Sequence, residues 1–349
     1  SKIKGVTYVS LGSNQSKFKF SMVSLYWGLR SNSILTTVKY LIKRDKPTLK
    51  QINLTAALDN IEPDIIHIQW VSHISLFEKH LTENRFKFIL SQRGFQIHVR
   101  PFISRKNFEY LQKWLPKLHG FHSVSAAISK VSDEIYSSST KFDNVIYTSL
   151  NLSRIKFKIK DNKNDCLQII SVGRSHWIKG YHYAIKACLL LKQNGLNFQY
   201  TIVGAACNEE LLFLIDDLGL QNQVTLTEKI DQAKVFECIR ASDLFLLPSL
   251  EEGIANVAVE AMALGCPVIS TDCEGMQELI THEKEGWIVA RRNPEAMANQ
   301  IFKINKMNNE VMVEIKKEAR SKVERYHAIE QMVNKMTGLY TSVQNYLAK

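Results

Sequence analysis

Short apolar segments of strand length alternate with helical segments throughout the second half of the chain, and this order constrains the fold more than any other feature. The strand patterns cover 167–172, 198–203, 224–226, 243–248, 267–270 and 286–289. The helical patterns cover 183–194, 209–218, 234–242, 256–264 and 276–280. Such alternation is typical of βαβ units, so we predict a parallel sheet with helices on both faces. Ligands of these sheets bind in the crevice at the carboxyl ends of the strands.

The first half shows the same pattern less clearly. Strand-like segments at 64–70, 86–91 and 120–125 are separated by helical segments, which indicates a second α/β domain. A chain of 349 residues is long enough for two domains, and we interpret 145–160 as the passage between them. From residue 309 onward the tail is predicted to be helical.

One apolar stripe runs along the C-terminal helix. Its members recur at helical spacing: Ile329, Met332, Val333, Met336, Leu339, Tyr340, Val343 and Leu347. We expect this stripe to pack against the body of the protein itself. A partner helix or an oligomer seam is the alternative.

The net charge of +11 is distributed unevenly along the chain. Residues 1–150 carry 21 Lys and Arg against 10 Asp and Glu, whereas residues 151–349 carry 24 of each. The densest basic segment consists of Lys39, Lys43, Arg44, Lys46 and Lys50. A solvated basic face explains this charge without any function. The functional interpretation is attraction to an anionic membrane surface or to nucleic acid.

The cysteines and the apolar runs narrow the class of protein. The six cysteines show neither a CxxC pair nor zinc-ligand spacing, so we expect free thiols in a reducing compartment rather than a metal site. No apolar run approaches the roughly 18 residues that span a bilayer, and the start lacks the apolar core of a signal peptide. A cytoplasmic location is therefore expected. No G-x-G-x-x-G follows a strand, which argues against a nicotinamide dehydrogenase.

Two glutamates frame the segment EEGIANVAVE, which follows the strand that ends at Pro248. Glu252 lies in the loop, Asn256 is predicted to be the N-cap of the next helix, and Glu260 to lie in about its first turn. A carboxylate can accept hydrogen bonds from both hydroxyls of a sugar diol, and the free N–H groups of a helix start suit a phosphate. A capping carboxylate and a solvated one are the alternative without a function.

A second segment, VGRSHWIKG, follows the strand pattern at 167–172 and contains two cations. Arg174 comes directly after the end of the strand, and Lys179 lies five positions further on. Two cations at the carboxyl end of a strand can neutralise a diphosphate, particularly one that gains charge as it leaves. Without further signals, such a pair more often consists of ordinary surface residues that have no function.

Together these segments resemble a known family. VGRSHWIKGYHYAIKA and SDLFLLPSLEEGIANVAVEAMALGCPVISTDCEGMQELI are similar to the retaining glycosyltransferases of the GT4 family, over about residues 165–300. RYHAIEQMVNKMTGLY resembles the family's helix that returns to the N-terminal domain, and DIIHIQW, FILSQRGFQIHVRP and FHSVSAAI resemble that domain less specifically. The resemblance implies the α/β GT-B fold, with two Rossmann-like domains that face a cleft. The implied domains are 1–150 plus 326–349, which bind the acceptor, and 151–325, which binds the nucleotide sugar.

The resemblance also implies a role for each matching residue. Arg174 and Lys179 hold the donor diphosphate and stabilise its departure, and Glu252 faces the donor sugar, so these three are the predicted catalytic residues. Glu260 matches the glutamate that binds the ribose hydroxyls. The rest of the predicted donor-binding set is Gly173, Ile254, Ala255, Asn256 and Val257.

The first half departs from the family's pattern. Many relatives have a His-Gly-x-Asp segment, where this chain has Arg93 at the His position and Gln96 at the Asp position. Arg93, Gly94 and His98 are predicted to lie on the acceptor or sugar side. The segment GSN at 12–14 is either a divergent form of the family's acceptor loop, or the sequence begins without that loop.

The resemblance leads to one expected activity and two alternatives. We expect a metal-independent hexosyltransferase that acts with retention, from a UDP- or GDP-linked sugar to a hydroxyl of a lipid-linked or cell-envelope glycan. No cofactor is expected, and the predicted partners are the nucleotide sugar, the glycan acceptor and the anionic inner face of the cell membrane, without nucleic acid. The alternatives are a non-catalytic basic nucleic-acid-binding protein and another GT-B enzyme, such as a nucleotide-sugar 2-epimerase.

Overall fold

The computed structural model describes residues 5–12, 16–160 and 165–345, which contain two parallel β-sheets with helices. The first sheet consists of β1 (Ile65–Ile68), β2 (Lys87–Gln92), β3 (Gly120–Ser123) and β4 (Asp143–Val145), in that order. The second consists of β5 (Leu167–Val172), β6 (Phe198–Val203), β7 (Val224–Thr227), β8 (Leu244–Leu247), β9 (Val268–Thr271) and β10 (Trp287–Val289). All the predicted strands are confirmed. β4 was missed because its three residues, two of them polar, carry no apolar pattern.

Helices occupy most of the remaining chain. Those before β5 are α1 (Lys17–Arg30), α2 (Ile34–Ile42), α3 (Lys46–Ile61), α4 (Ile74–Glu83), α5 (Phe95–His98), α6 (Arg100–Ile103), α7 (Arg105–Trp114) and α8 (Ala126–Ile135). Those after β5 are α9 (Tyr181–Gln193), α10 (Glu209–Asp217), α11 (Gln232–Ala241), α12 (Asn256–Leu264), α13 (Glu274–Leu279), α14 (Pro294–Asn305), α15 (Asn309–Tyr326) and α16 (Ile329–Asn345). The helices predicted between the strands of the second sheet are confirmed.

By their contacts the residues divide into two units, one within 1–66 and 73–88, the other within 67–72 and 89–349. In the first unit, α1 packs on α2 and α3. Its Trp27 is 4% exposed and donates from Nε1 to the Ser10 carbonyl at 2.9 Å. The domain boundaries predicted above divide the chain differently, and they stay a prediction. Of the segment GSN at 12–14, the serine and the asparagine lie outside the described residues.

The second sheet has the strand order β10-β9-β8-β5-β6-β7, with parallel pairing. This is a doubly wound order, in which the direction of winding reverses between β5 and β8. Its strands carry fully buried side chains, such as Tyr200, Phe245 and Trp287. Ligands of such sheets bind outside the carboxyl ends at the reversal, so the topology places a site at the loops after β5 and β8.

The two C-terminal helices pack against different parts of the protein. Helix α15 contacts α12, and α16 contacts β3. Leu339 and Val343 of α16 are buried, whereas Ile329 and Val333 are 37% and 51% exposed. The predicted apolar stripe therefore packs against the protein only in its later part, because it is these turns of α16 that lie over β3. Leu347, the last member of the stripe, lies outside the described residues.

A row of buried and half-buried hydrogen bonds ties α16 to the first sheet. Tyr340 Oη lies 2.8 Å from His67 Nδ1, and His67 Nε2 lies 2.9 Å from Ser91 Oγ. The same Oγ lies 2.9 Å from His122 Nδ1, and His122 Nε2 lies 2.9 Å from the Ile146 carbonyl oxygen. Because a carbonyl only accepts, the proton of His122 is on Nε2, and every donor back to the Tyr340 hydroxyl is thereby fixed. Burial lowers the pKa of His122, and lowers that of His67 to about 4, so both rings are neutral at pH 7.

Candidate functional site

The loops after β5 and β8 lie against each other at the reversal of the second sheet. The loop after β5 contains one turn of 3-10 helix, which His176 caps by accepting from the Ile178 N–H at 3.3 Å. The Leu250 N–H donates to the Ile178 carbonyl at 2.7 Å and joins the two loops. Gly180 has a φ of +64°, and any Cβ there would overlap the Pro248 carbonyl oxygen. The close approach of the loops therefore requires glycine at this position.

This approach brings Lys179 and Glu252 together. Lys179 Nζ lies 2.5 Å from Glu252 Oε1, and Ser249 Oγ donates to the same oxygen at 2.9 Å. The side chains of the pair are only 21% and 16% exposed. A Cβ at Gly173 would lie 2.8 Å from the Tyr181 hydroxyl and 3.4 Å from Lys179 Cε, so the glycine leaves room for Tyr181, and the lysine chain passes beside it. Burial, and after it the charge of Glu252, raises the pKa of Tyr181, which is therefore a neutral hydroxyl.

Arg174 and Glu260 lie apart from this pair. Arg174 is exposed and forms no ion pair or hydrogen bond with the part of the chain that the structure describes. Glu260 lies in the second turn of α12, not in the first as predicted, and its Oε1 accepts from Gln232 Nε2 at 2.8 Å. Burial raises the pKa of Glu260, while the bond from Gln232 opposes that shift. Arg174 is thus free to meet an anionic ligand, and Glu260 keeps its second oxygen for one more donor.

The start of α12 presents backbone N–H groups just after Glu252. Ala255 is the N-cap, and no side chain in the part of the chain that the structure describes caps this helix. The prediction of Asn256 as the cap was wrong, because the cap position is 4% exposed and holds a small apolar residue, while Asn256 is the exposed first residue of the helix. Ile254 is buried and Val257 half-buried on either side. The first N–H groups of a helix lack intrahelical acceptors, so they can bind an oxyanion.

The segment after β2 contacts both loops. The Phe95 ring lies 6.2 Å from the Trp177 ring in the loop after β5. A Cβ at Gly253 would lie 2.9 Å from Val124 Cγ2 and 3.6 Å from the Gly94 backbone nitrogen. Residues that follow strands of the first sheet thus meet residues that follow strands of the second. The small size of Gly253 is what allows this contact.

Arg93 and His98 belong to the same segment but contact different partners. His98 Nδ1 lies 3.7 Å from Glu251 Oε2, and both atoms are buried without a hydrogen bond from the described residues. Arg93 Nη2 donates to Gln69 Oε1 at 2.8 Å, and the guanidinium lies 5.6 Å from the centre of the Trp70 ring. His98 therefore reaches the loop after β8, whereas Arg93 contacts residues that follow β1.

An arginine that the sequence did not single out braces the loop that carries Glu252. Arg291 Nη1 binds the Glu251 carboxylate and donates to the Leu250 carbonyl at 3.1 Å. The Arg291 N–H donates to Asp272 Oδ1 at 2.9 Å, which fixes the backbone that presents the guanidinium. Arg291 lies 40 residues from Glu251 in sequence, so no local spacing connects the two.

A second missed residue, Glu278 on α13, holds the start of α8. Its Oε2 and Oε1 accept from the N–H groups of Ala126 and Ala127 at 2.9 and 2.7 Å, an arrangement that we call the Glu278 clasp. On the same helix, a Cβ at Gly275 would overlap the Gly253 carbonyl oxygen. Helix α13 thus touches both the loop of Glu252 and the layer around the first sheet. Neither contact has a sequence signal, because both partners are backbone atoms.

In residues 5–12, 16–160 and 165–345, no group of three or more His, Cys, Asp or Glu is arranged to hold a metal ion. None of the helices in these ranges combines the length and the apolar character needed to cross a bilayer.

Residues 153–322 match the family of glycosyl transferases group 1, and this range contains both loops of the site. The chain carries a group 1 glycosyltransferase domain. The chain is 33% identical to the amylovoran biosynthesis glycosyltransferase AmsK of Erwinia amylovora over 233 residues, and this match covers 64% of the chain and 57% of AmsK. It is 36% identical to the putative colanic acid biosynthesis glycosyltransferase WcaL of Escherichia coli over 174 residues, and this match covers 48% of the chain and 42% of WcaL. The chain thus spans about half the length of these curated relatives.

The fold around the glycosyltransferase domain is GT-B. Anabaena Alr3699/HepE, solved in complex with UDP-glucose, superposes with a TM-score of 0.72 over 95% of this chain and 97% of its own. The identity of 17% means that this likeness shows the fold alone. The prediction of an α/β GT-B protein is confirmed, and so is its similarity to glycosyltransferases of exopolysaccharide biosynthesis. These comparisons do not favour the nucleic-acid-binding or the epimerase alternative.

Proposed function

We propose that the chain is a retaining GT4 glycosyltransferase, which transfers a hexosyl group from a UDP- or GDP-linked sugar to a hydroxyl of a lipid-linked or cell-envelope glycan. The observation that carries the proposal is the Lys179–Glu252 pair at the reversal of the second sheet, within the matched domain. The names of AmsK and WcaL support a polysaccharide product, and the UDP-glucose complex of HepE supports the donor class. In this proposal residues 151–325 bind the donor, and residues 1–150 with 326–349 bind the acceptor.

Each site residue has one task in the proposed transfer. Arg174, Lys179 and the N–H groups at the start of α12 bind the diphosphate and stabilise the charge that it gains. Glu252 Oε2, which no described residue bonds, accepts from hydroxyls of the donor sugar, and Glu260 accepts from the ribose. The C1–O bond to the phosphate breaks as C1 bonds the acceptor oxygen on the same face. The leaving phosphate oxygen takes the acceptor's proton, so no separate base is needed.

The two cations explain why the proposed transfer needs no metal. A diphosphate that leaves gains negative charge, and a metal ion or fixed cations can stabilise it. Glu252 holds Lys179 in place, and Arg174 on the same loop forms no ion pair with the described residues. Holding the lysine in one orientation reduces the reorganisation that the reaction requires.

Ligand binding and turnover test the proposed activity. A ligand at 100 times its Kd stabilises a protein by about 2.7 kcal/mol, so we expect UDP or GDP to raise Tm clearly and single-stranded RNA not to. A panel of sugar nucleotides, assayed by release of the nucleoside diphosphate, then identifies the donor. The anomeric configuration of the product, read by NMR, checks retention. A rise in Tm with RNA and with no nucleotide would replace this proposal with the nucleic-acid-binding alternative.

We also propose that the first unit docks on the anionic cytoplasmic face of the membrane. Helices α1 and α2 expose large apolar side chains: Phe18 75%, Met22 54%, Leu29 65%, Leu35 85% and Ile42 78%. The basic segment predicted above is exposed along its side chains as well: Lys39, Lys43, Arg44, Lys46 and Lys50. Each basic residue near an anionic leaflet contributes about 1 kcal/mol, and apolar side chains at the interface add to it.

Flotation with lipid vesicles tests this docking. The chain is expected to float with vesicles that contain anionic lipid and to stay behind with zwitterionic ones, with salt weakening the binding. The double variant Leu35→Gln/Ile42→Gln is expected to bind roughly tenfold more weakly or worse, because it removes two apolar contacts. Phe213→Gln is the matched control, since Phe213 is 71% exposed on the acidic helix α10. Equal flotation of all three proteins would refute the assignment of this surface.

A further inference from the structure

Arg93 is a half-buried cation without an acidic partner in the described chain. Its Nη2 donates to Gln69 Oε1 at 2.8 Å, and its guanidinium lies 5.6 Å from the centre of the Trp70 ring. Its Nε is buried and has no hydrogen-bond partner among the described residues. Nη1 and the second hydrogen of Nη2 are likewise not bonded by them. A guanidinium that loses water without gaining a counter-charge is destabilising, so its position calls for a functional explanation.

The two histidines on which the charge of Arg93 acts are neutral at pH 7. Burial is the main cause that lowers the pKa of His67 and of His122, and the charge of Arg93 acts in the same direction on both, while the hydrogen bond to the Ile146 carbonyl and the charge of Asp143 oppose the shift of His122. Burial also lowers the pKa of Arg93, although an arginine remains protonated at any physiological pH. The carboxyl edge of the first sheet therefore carries an uncompensated positive charge at this point.

The acids of the adjoining loop do not supply the missing charge. The segment of Arg93 contacts the loop after β8, which contains Glu251 and Glu252. Glu251 is bound by Arg291, and Glu252 is bound by Lys179. Each acid thus has its own cation.

A second arginine, Arg100 of α6, also has no acidic partner in the described chain. A pocket of about 50 Å3 is lined by polar side chains that include Ser72, Gln96, Arg100 and Asn107. The Ser72 N–H donates to Gln96 Oε1 at 3.1 Å, which joins the chain after Trp70 to the helix after Arg93. Arg100 is exposed and pairs with no acid in the described residues, and the pocket has no acidic lining residue among them.

We propose that Arg93 binds a carboxylate or phosphate group of the substrate, so that the enzyme acts on an acidic sugar. This inference rests on the proposed function and names its substrate class. The free hydrogens of Nη1 and Nη2 match the two oxygens of an oxyanion. The Trp70 ring, which is 44% exposed, offers an apolar surface for the sugar ring that carries this group. The acidic sugar belongs either to the donor or to the acceptor.

Two arms of one experiment separate these sources. The donor arm compares kcat/KM for UDP-glucuronate and UDP-glucose. The acceptor arm measures, by calorimetry with saturating UDP, the binding of oligogalacturonate and of a malto-oligosaccharide of equal length. In one of the two arms, Arg93→Gln is expected to lower kcat/KM or binding affinity for the acidic compound roughly 10- to 100-fold, which is the effect of losing a bond to a charged group. The same quantity is expected to change little for the neutral compound. Arg93→Lys, which keeps the charge without the planar fork, is expected to fall between.

The controls distinguish this inference from the function on which it rests. Arg105→Gln should change nothing, because Arg105 is 91% exposed and paired with Glu109. An equal loss of kcat/KM or affinity for acidic and neutral compounds would show that Arg93 is a structural residue, and it would overturn the inference. A wild-type protein that prefers neither acidic compound to its neutral counterpart would overturn it as well. If UDP does not bind and no donor is turned over, the proposed function fails, while calorimetry with oligogalacturonate in the absence of UDP still reports on Arg93.

Discussion

Replacing Lys179 with methionine is expected to lower kcat for sugar transfer about 100- to 1,000-fold, the usual effect of removing one stabiliser of a developing oxyanion. Methionine has a similar length and lacks the charge, so it fills the space beside Gly173 without serving the diphosphate. The rate is measured as release of nucleoside diphosphate under saturating donor. Lys186→Met on α9 is the matched control, because Lys186 is exposed, and it should retain full turnover.

The partner of Lys179 separates a catalytic effect from a loss of stability. Without the lysine, the Glu252 carboxylate keeps, among the described residues, only the hydrogen bond from Ser249, so Lys179→Met is also expected to lower Tm. The double variant Lys179→Met/Glu252→Gln removes both charges and is expected to recover Tm while transfer stays lost. Recovery of transfer in the double variant, or full turnover in Lys179→Met, would contradict the role assigned to this pair.

Gly275→Ala is expected to lower both Tm and transfer, although Gly275 is not one of the predicted site residues. Its new methyl group would overlap the Gly253 carbonyl oxygen and lie 2.8 Å from that of Glu252. Backbone cannot yield as a side-chain end can, so the loop of Glu252 must shift. Overpacking of this kind costs about 1–3 kcal/mol, and a displacement near the chemistry of about 1 Å can lower the rate roughly 100-fold. Thermal unfolding and nucleotide release measure the two effects.

The same substitution elsewhere provides the control. A Cβ at Gly338, within α16, would meet no atom within 4 Å. Gly338→Ala is expected to raise stability by up to about 1 kcal/mol, since alanine is the better helix former, and to leave transfer unchanged. A Gly275→Ala protein with unchanged Tm and turnover would show that the loop of Glu252 tolerates displacement.

The parts of the site that follow from strand periodicity were predictable. The alternating pattern located β5 and β8 closely enough that Lys179 and Glu252, one after each strand, were expected at the same edge of the sheet. Their separation of 73 residues did not hinder this, because parallel strands in the doubly wound order bring their carboxyl ends together. The periodicity of the strands therefore predicted that these two residues, although far apart in sequence, lie at the same edge of the sheet.

The parts that depend on backbone partners or on burial of single positions were not predictable. Asn256 has the right chemistry for an N-cap, yet the cap position is buried and holds Ala255. Arg291 and Glu278 act on a carboxylate and on N–H groups far away in sequence, and no spacing rule reports such bonds. The roles of all four residues stay predictions, although the structure brings Lys179 and Glu252 together and leaves Arg174 and Glu260 apart from them.

The Glu278 clasp has a consequence for how such a protein can diversify. Glu278 recognises main-chain hydrogens at positions 126 and 127, so the identity of those side chains is immaterial to it, with proline as the exception because it lacks the hydrogen. The portion of the molecule around the start of α8 can thus change its sequence over time, while the Glu278 carboxylate keeps both hydrogen bonds. Exchanging that portion between distant homologues would preserve the Glu278 clasp as long as a helix begins at the same place.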